Sequence, residues 1–298
     1  DQAGNSTQED KNLAVSLKGQ IKLASTASIY EHLPESSREM SLGGYSSRGP
    51  SPLGLCKPDI VVPGFVTSSS ALKKQLTPDC LSVKWGTSMA TAAAAGSCSL
   101  VRQYFTDGFY PHRVKSEVKS FAPMSYLIRA VIVNSASPFD SDNYGPNIMT
   151  GFGSPNLSSS LLQPLRIVKN NSILANSKHR YEINLNQNND SLRVTMGYID
   201  PPLSLSSAVP LFADLDLLVV SPSGRVFIGN ERPNNQTEMA NTIERVIVRK
   251  EQIEVGKYVI LVLSNNFSDP DLDTINYSLV INGPFDHFDF QSNPEEPA

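Results

Sequence analysis

Three cysteines in 298 residues, Cys56, Cys80 and Cys98, are too few and too irregularly spaced for a zinc site or a disulfide scaffold. One Cys56–Cys80 bridge stays open. A basic block is also missing: the formal net charge is −4 and Lys and Arg are dispersed, so the chain has no electrostatic footprint for nucleic acid. The longest apolar stretches, Tyr258 to Leu263 and Leu215 to Val220, are of strand length. Both fall far below the ~20 residues that a membrane-crossing helix needs. The polar opening, Asp1 to Asp10, has neither a basic n-region nor an apolar h-region, and the first residue is not Met. A fragment or processed product is expected. No internal repeat or low-complexity tract is present.

What is present suits a globular protein with two modest cores, at 40% hydrophobic residues. Lys57 to Gly64 is an apolar run bracketed by Pro58 and Pro63 and predicts a short strand. Ala90 to Phe105 predicts a long alanine-rich helix, and Met124 to Ser135 a second apolar helix. This is the composition of part of an α/β domain in which helices flank a largely parallel sheet. From Ile167 onward short alternating segments predict strands at 181–186, 192–199, 215–220, 226–228, 242–248, 258–263 and 277–281. Turn residues such as Ser221-Pro222-Ser223-Gly224 separate them. The expected architecture is an α/β domain over 1–165, an all-β sandwich of jelly-roll type over 166–290, and a loose polar tail over 291–298.

Gly86-Thr87-Ser88-Met89-Ala90 opens the alanine-rich helix, which places a hydroxyl where unpaired N–H groups and the helix dipole favour negative charge. An acyl-transfer oxyanion would be stabilised there. The small residues that follow let the helix pack closely and hold Ser88 still. The competing reading is that Thr87 or Ser88 merely caps the helix.

The GTSMA run resembles the serine motif of the subtilisin-like (subtilase) proteases, and further segments resemble that family in the expected order. Tyr45-Ser46-Ser47-Arg48-Gly49-Pro50, Lys57-Pro58-Asp59-Ile60 and Pro63-Gly64 precede the serine. Ser125 to Ala136 (SYLIRAVIVNSA) and Tyr144 to Leu157 (YGPNIMTGFGSPNL) follow it. Upstream, Ala3-Gly4-Asn5 and Lys11 to Val15 are similar to the family's AGN loop and the strand after it. The resemblance implies Ser88 as nucleophile and Asn5 as a side-chain donor to the oxyanion. Ala92 departs from the proline that family members usually carry in the first helical turns.

The family orders its triad Asp, His, Ser, and neither of the first two has a counterpart in this sequence. None of His32, His112, His179 and His287 is followed by the small residues of the family's histidine motif. His32 reads as an exposed loop residue, and His179 and His287 as surface residues of the β-rich part. Without a base the Ser88 hydroxyl is a poor nucleophile. The expectation is a serine endopeptidase in the parent protein and an inactive isolated chain, whose partners are a peptide substrate and the missing N-terminal part of the catalytic domain. The alternatives are a chain that pairs with a separate N-terminal fragment, and a non-catalytic remnant whose sandwich binds protein or carbohydrate.

Ala213 to Val220 (ADLDLLVV), the Ser221–Gly224 turn and Val255 to Tyr258 resemble the jelly-roll domain of KP-43-type proteases and, more distantly, the P domain of proprotein convertases. Period-two spacing places Asp214 and Asp216 opposite Leu215 and Leu217, and the resemblance implies structural calcium at such carboxylates. A solvated strand face is the competing reading. Asp269, Asp271 and Asp273 also alternate but lack the glycine and glutamate of an EF-hand loop. No organic cofactor is expected. Sequons at Asn156, Asn170, Asn189, Asn235, Asn266 and Asn276 accord with a secreted parent.

Overall fold

In the computed structural model, which describes residues 42–69, 81–138, 145–202, 211–230, 240–265, 267, 273–285 and 290–297, the first half is built on two helices. Strands β1 (Phe65–Ser69) and β2 (Leu81–Trp85) pair antiparallel and lead into helix α1 (Thr87–Thr106). Helix α2 (Ser125–Ser135) follows, then the two-residue strands β3 (Ala136–Ser137) and β4 (Ser154–Pro155), which pair, and the short helix α3 (Ser158–Leu161). Val101, Tyr104 and Phe105 of α1 meet Leu127, Ala130 and Val131 of α2 in one apolar cluster. Every strand pairing among the described residues is antiparallel, so the expected parallel sheet is not found there. A parallel pair needs a crossover of a dozen or more residues, and the described part of this half contributes only the β1–β2 and β3–β4 pairs. Lys57 to Gly64 is not a strand and bends at Asp59. Pro58 and Pro63 remove two ladder donors from it, and the bond before Pro58 is cis.

The second half forms two antiparallel sheets. Its strands are β5 (Leu165–Leu174), β6 (Ser177–Leu185), β7 (Leu192–Tyr198), β8 (Leu215–Val220), β9 (Val226–Ile228), β10 (Ile243–Val248), β11 (Gly256–Ser264), β12 (Thr274–Asn282) and β13 (Phe290–Pro297). One sheet runs β10-β7-β12-β5 and the other β13-β6-β11-β8-β9. Tyr181, Leu217, Tyr258 and Ile260 of the five-stranded sheet share one core with Val194, Tyr198, Tyr277 and Leu279 of the four-stranded sheet, which makes a β-sandwich. Alternation does what it predicts in β8, where Leu215, Leu217 and Val219 are buried and Asp216, Leu218 and Val220 are half-buried. Two elements depart from expectation. β5 is not among the expected strands, and residues 291–297, expected as part of a loose tail, lie in β13 on the edge of β6. An edge as long as β6 presents unpaired backbone groups that favour such pairing.

The two halves are in contact. Helix α2 lies on the outer face of the four-stranded sheet, where the apolar cluster of α1 and α2 also takes in Leu165, Ile167 and Val280. Asn134 donates to Thr195 Oγ1 at 3.0 Å and to the Val280 carbonyl at 3.3 Å. Arg245, fully buried on β10, donates to the carbonyls of Val133 and Ala136 at 2.9 and 2.8 Å and of Phe152 at 3.2 Å. Burial and then Arg193 pull its pKa down to about 9, which leaves it charged at neutral pH. A close approach lies at Gly197 of β7, where a Cβ would stand 2.9 Å from the Tyr126 carbonyl and 3.3 Å from Ala130 Cβ. Gly197→Ala should therefore cost about 1–3 kcal/mol by forcing α2 off the sheet. Urea midpoints of the two proteins measure it.

Candidate active site

Ser88 sits in the first turn of α1 and is exposed. The residue that caps the helix is Gly86, with φ 136° and ψ 169°, and no side chain caps the end. The capping role considered for Thr87 or Ser88 is thus taken by a glycine whose backbone angle side chains rarely adopt. The Gly86 carbonyl accepts from Met89 N–H at 3.2 Å and Ala90 N–H at 3.4 Å. The N–H groups of Thr87 and Ser88 open the helix, where backbone donors have no intrahelical acceptor. A hydroxyl and donors suited to negative charge therefore share one turn.

What places this turn is the Asp59–Gly64 segment. Gly86 N–H donates to the Gly64 carbonyl at 2.8 Å, and a Cβ on Gly64 would lie 3.0 Å from the Gly86 oxygen, so that approach suits glycine. Further back, Val61 N–H donates to the Gly153 carbonyl at 3.0 Å, and the Asp59 carbonyl accepts from Phe152 N–H at 2.9 Å. The Asp59 carboxylate bonds Lys57 Nζ at 2.9 Å and Arg129 Nη2 at 3.0 Å. Burial acts to raise the Asp59 pKa, but Arg129 and then Lys57 outweigh it and hold the group below the usual range. Its contribution to stability is present above the ordinary carboxylate pKa and is lost as pH falls through the lowered one.

A cavity of about 300 Å³ lies against the first turns of α1, lined by Tyr45, Ile60, Pro63, Gly64, Thr87 and Ala90 among others. Exposed Trp85 stands beside it, its ring centroid 5.5 Å from that of Tyr45. Tyr45 opens one of the family-like segments, whereas Trp85 was not marked by the sequence. The Asp59–Arg129 pair was not marked either: both residues lie in quoted motifs, but their contact spans 70 residues.

Asn5, His32 and His287 lie outside the described residues, as do Cys80, Asp269 and Asp271. His112 lies beyond the far end of α1, roughly 30 Å of helix from Ser88. His179, expected at the surface, is buried in the sandwich. Its Nδ1 is 2.7 Å from Tyr277 Oη and 3.2 Å from Asn171 Nδ2, polar partners that make burial tolerable. Cys56 is buried.

Asp214 and Asp216 stand at the start of β8. Asp216 Oδ2 accepts from Asn265 Nδ2 at 3.1 Å, and the Asp214 carbonyl from Asn265 N–H at 3.3 Å. Among the described residues no three His, Cys, Asp or Glu side chains gather to hold a metal. Lost hydration, and then repulsion from Asp216 and Asp200, raise the Asp214 pKa. A raised carboxyl favours the fold at low pH and loses that contribution as pH rises through the raised value. Asp214→Asn should therefore raise Tm at pH 7 by about 1 °C, the scale of a small surface effect in a chain this size, and leave it unchanged at pH 3. Melting curves at both values check this, and millimolar calcium reverses the sign if the pair binds it.

Residues 3–159, just over half of the chain, match the subtilase family model of peptidase S8. The serine protease/ABC transporter B family protein tagD of Dictyostelium discoideum is 33% identical over 162 residues, 45% of this chain and 9% of tagD. The tagA protein of the same organism and description is 26% identical over 270 residues, 80% of this chain and 15% of tagA. The aligned parts are thus a small fraction of these relatives' length. A structure of infectious bursal disease virus Gx strain overlaps 42% of this chain and 33% of its own at TM-score 0.20 and 8% identity, too low to bear on the fold. Among the described residues no helix is long and apolar enough to cross a membrane.

Proposed function

Because the chain belongs to the subtilase family, we propose that it supplies the nucleophile of a serine endopeptidase, with Ser88 Oγ attacking the peptide carbonyl. The observation that carries this reading is the exposed Ser88 in the first turn of a helix whose cap is a glycine and not a side chain. Attack forms a tetrahedral oxyanion, for which Ser88 N–H at the helix start and the Asn5 side-chain amide are the donors. The serine proton passes to a histidine base and from there to the leaving amine, which departs as the acyl-enzyme forms; water then releases the acid. That histidine and its orienting aspartate are contributed from outside these 298 residues.

We read the sandwich as the jelly-roll brace of such a protease and the parent as secreted, in accord with the exposed sequon residues Asn170, Asn189 and Asn276. A sandwich that works instead as a binding module, beside a serine that never reacts, is the competing outcome. Fluorophosphonate labelling decides. The intact protein should label at Ser88 and the 298-residue chain alone should not. No labelling in either overturns the protease reading, and labelling of the isolated chain overturns the external base.

A further inference from the structure

The backbone that carries Ser88 is anchored at Gly86, and the anchor can be followed residue by residue into the sandwich. Gly86 N–H is held by the Gly64 carbonyl at 2.8 Å. Gly64 ends the segment that begins at Asp59, and Arg129 of α2 grips Asp59 at 3.0 Å. The same guanidinium turns its other nitrogen to the sandwich, where Nη1 donates to Thr242 Oγ1 at 2.6 Å, and Nη2 also reaches Asn241 Oδ1 at 3.3 Å. Asn241 and Thr242 lead directly into β10. One planar group thus joins three parts of the chain: the segment leading to the serine turn, the helix between the two halves, and the entry to the sandwich.

We propose that Arg129 is a positioning residue for Ser88, fixing the serine turn to the sandwich through Asp59 on one side and Thr242 on the other. Its effect on catalysis rests on Ser88 being the nucleophile; its effect on Gly86 does not. Arg129 fits the task because its fork is rigid and serves two directions at once, which a lysine ammonium cannot do with fixed geometry. The side chain is about a quarter exposed, at 26%, so its work is directional bonding more than core filling. In the absence of the Thr242 bond, Arg129 can swing with Asp59, and the Asp59–Gly64 segment and Gly86 follow.

The test uses Thr242→Val, which removes the hydroxyl at nearly constant shape, and Thr242→Ser, which keeps it, together with Arg129→Lys, all in the intact protein. Amide exchange at Gly86 should quicken roughly tenfold in Thr242→Val and Arg129→Lys, the scale of losing one hydrogen bond to a charged group. Exchange of core amides such as Val262 and Ile260 should stay at the wild-type rate, and Thr242→Ser should behave as wild type. Peptide turnover should fall by a similar factor in kcat with KM held within about twofold, as expected when only transition-state geometry is lost. Wild-type exchange at Gly86 in Thr242→Val overturns the proposal. So does quickening at Gly86 that merely tracks the core amides, or a Thr242→Ser variant as impaired as Thr242→Val. Activity that survives Ser88→Ala would instead sink the nucleophile reading and leave the Gly86 result standing on its own.

Discussion

Ser88→Ala should abolish peptide hydrolysis and fluorophosphonate labelling by the intact protein while leaving its thermal stability unchanged. The scale of the loss is on the order of 10⁶ in kcat, a figure that belongs to subtilisin deprived of its serine and is carried over here. The stability half of the expectation comes from the local structure. Ser88 is exposed, the helix is capped by Gly86, and no side-chain bond closes its end. Removing one surface hydroxyl in such a place changes stability by no more than about 0.5 kcal/mol. A serine that served as a cap would behave in the opposite way, with activity intact and about 1 kcal/mol lost. Activity and Tm measured on the same two proteins therefore separate the chemical role from the structural one.

Arg245→Met should destabilise the whole chain by about 3–5 kcal/mol, because three carbonyls lose a charged donor inside the protein. The residue lies in the sandwich, yet the carbonyls belong to the end of α2 and the segment after it. The guanidinium also lies 5.0 Å from the centre of the Phe152 ring, a contact that methionine keeps only as packing. Urea unfolding followed by two probes checks the expectation. The single tryptophan, Trp85, reports on the first half and far-ultraviolet dichroism chiefly on the sheets. Both curves should shift together to lower urea. A tryptophan transition that stays in place while the sheets melt earlier would mean that Arg245 serves the sandwich alone.

Local signals in the sequence carried the strands well. β8 and β9 fall at the expected residues, and β7, β10, β11 and β12 within a few of them, because alternation and turn residues are short-range properties. The serine helix was legible for a similar reason: glycine, small residues and alanine follow one another within one segment. What was not legible depends on distant chain. Lys57 to Gly64 reads as a strand by composition, but the described structure offers it contacts to Gly153 and Phe152 in place of a ladder partner. β13 reads as a tail because its proline-containing sequence carries no strand signal, and only the open edge of β6 gives it a partner. His179 reads as a surface residue because nothing near it in sequence announces Tyr277, 98 residues on. The same distance hides the Asp59–Arg129–Thr242 connection, whose members lie in three separate segments.

The burial of Arg245 against the end of α2 also sets an order in time. Its bonds to Val133 and Phe152 span 112 and 93 residues. During synthesis at about 5–20 residues per second, the first of these gaps alone takes roughly 6 to 22 seconds to cross. For that interval the end of α2 has been synthesised, while the arginine that will close it does not yet exist. The end of α2 is therefore closed by chain made long after it, and the carbonyls of Val133, Ala136 and Phe152 gain their charged donor only once β10 has been synthesised.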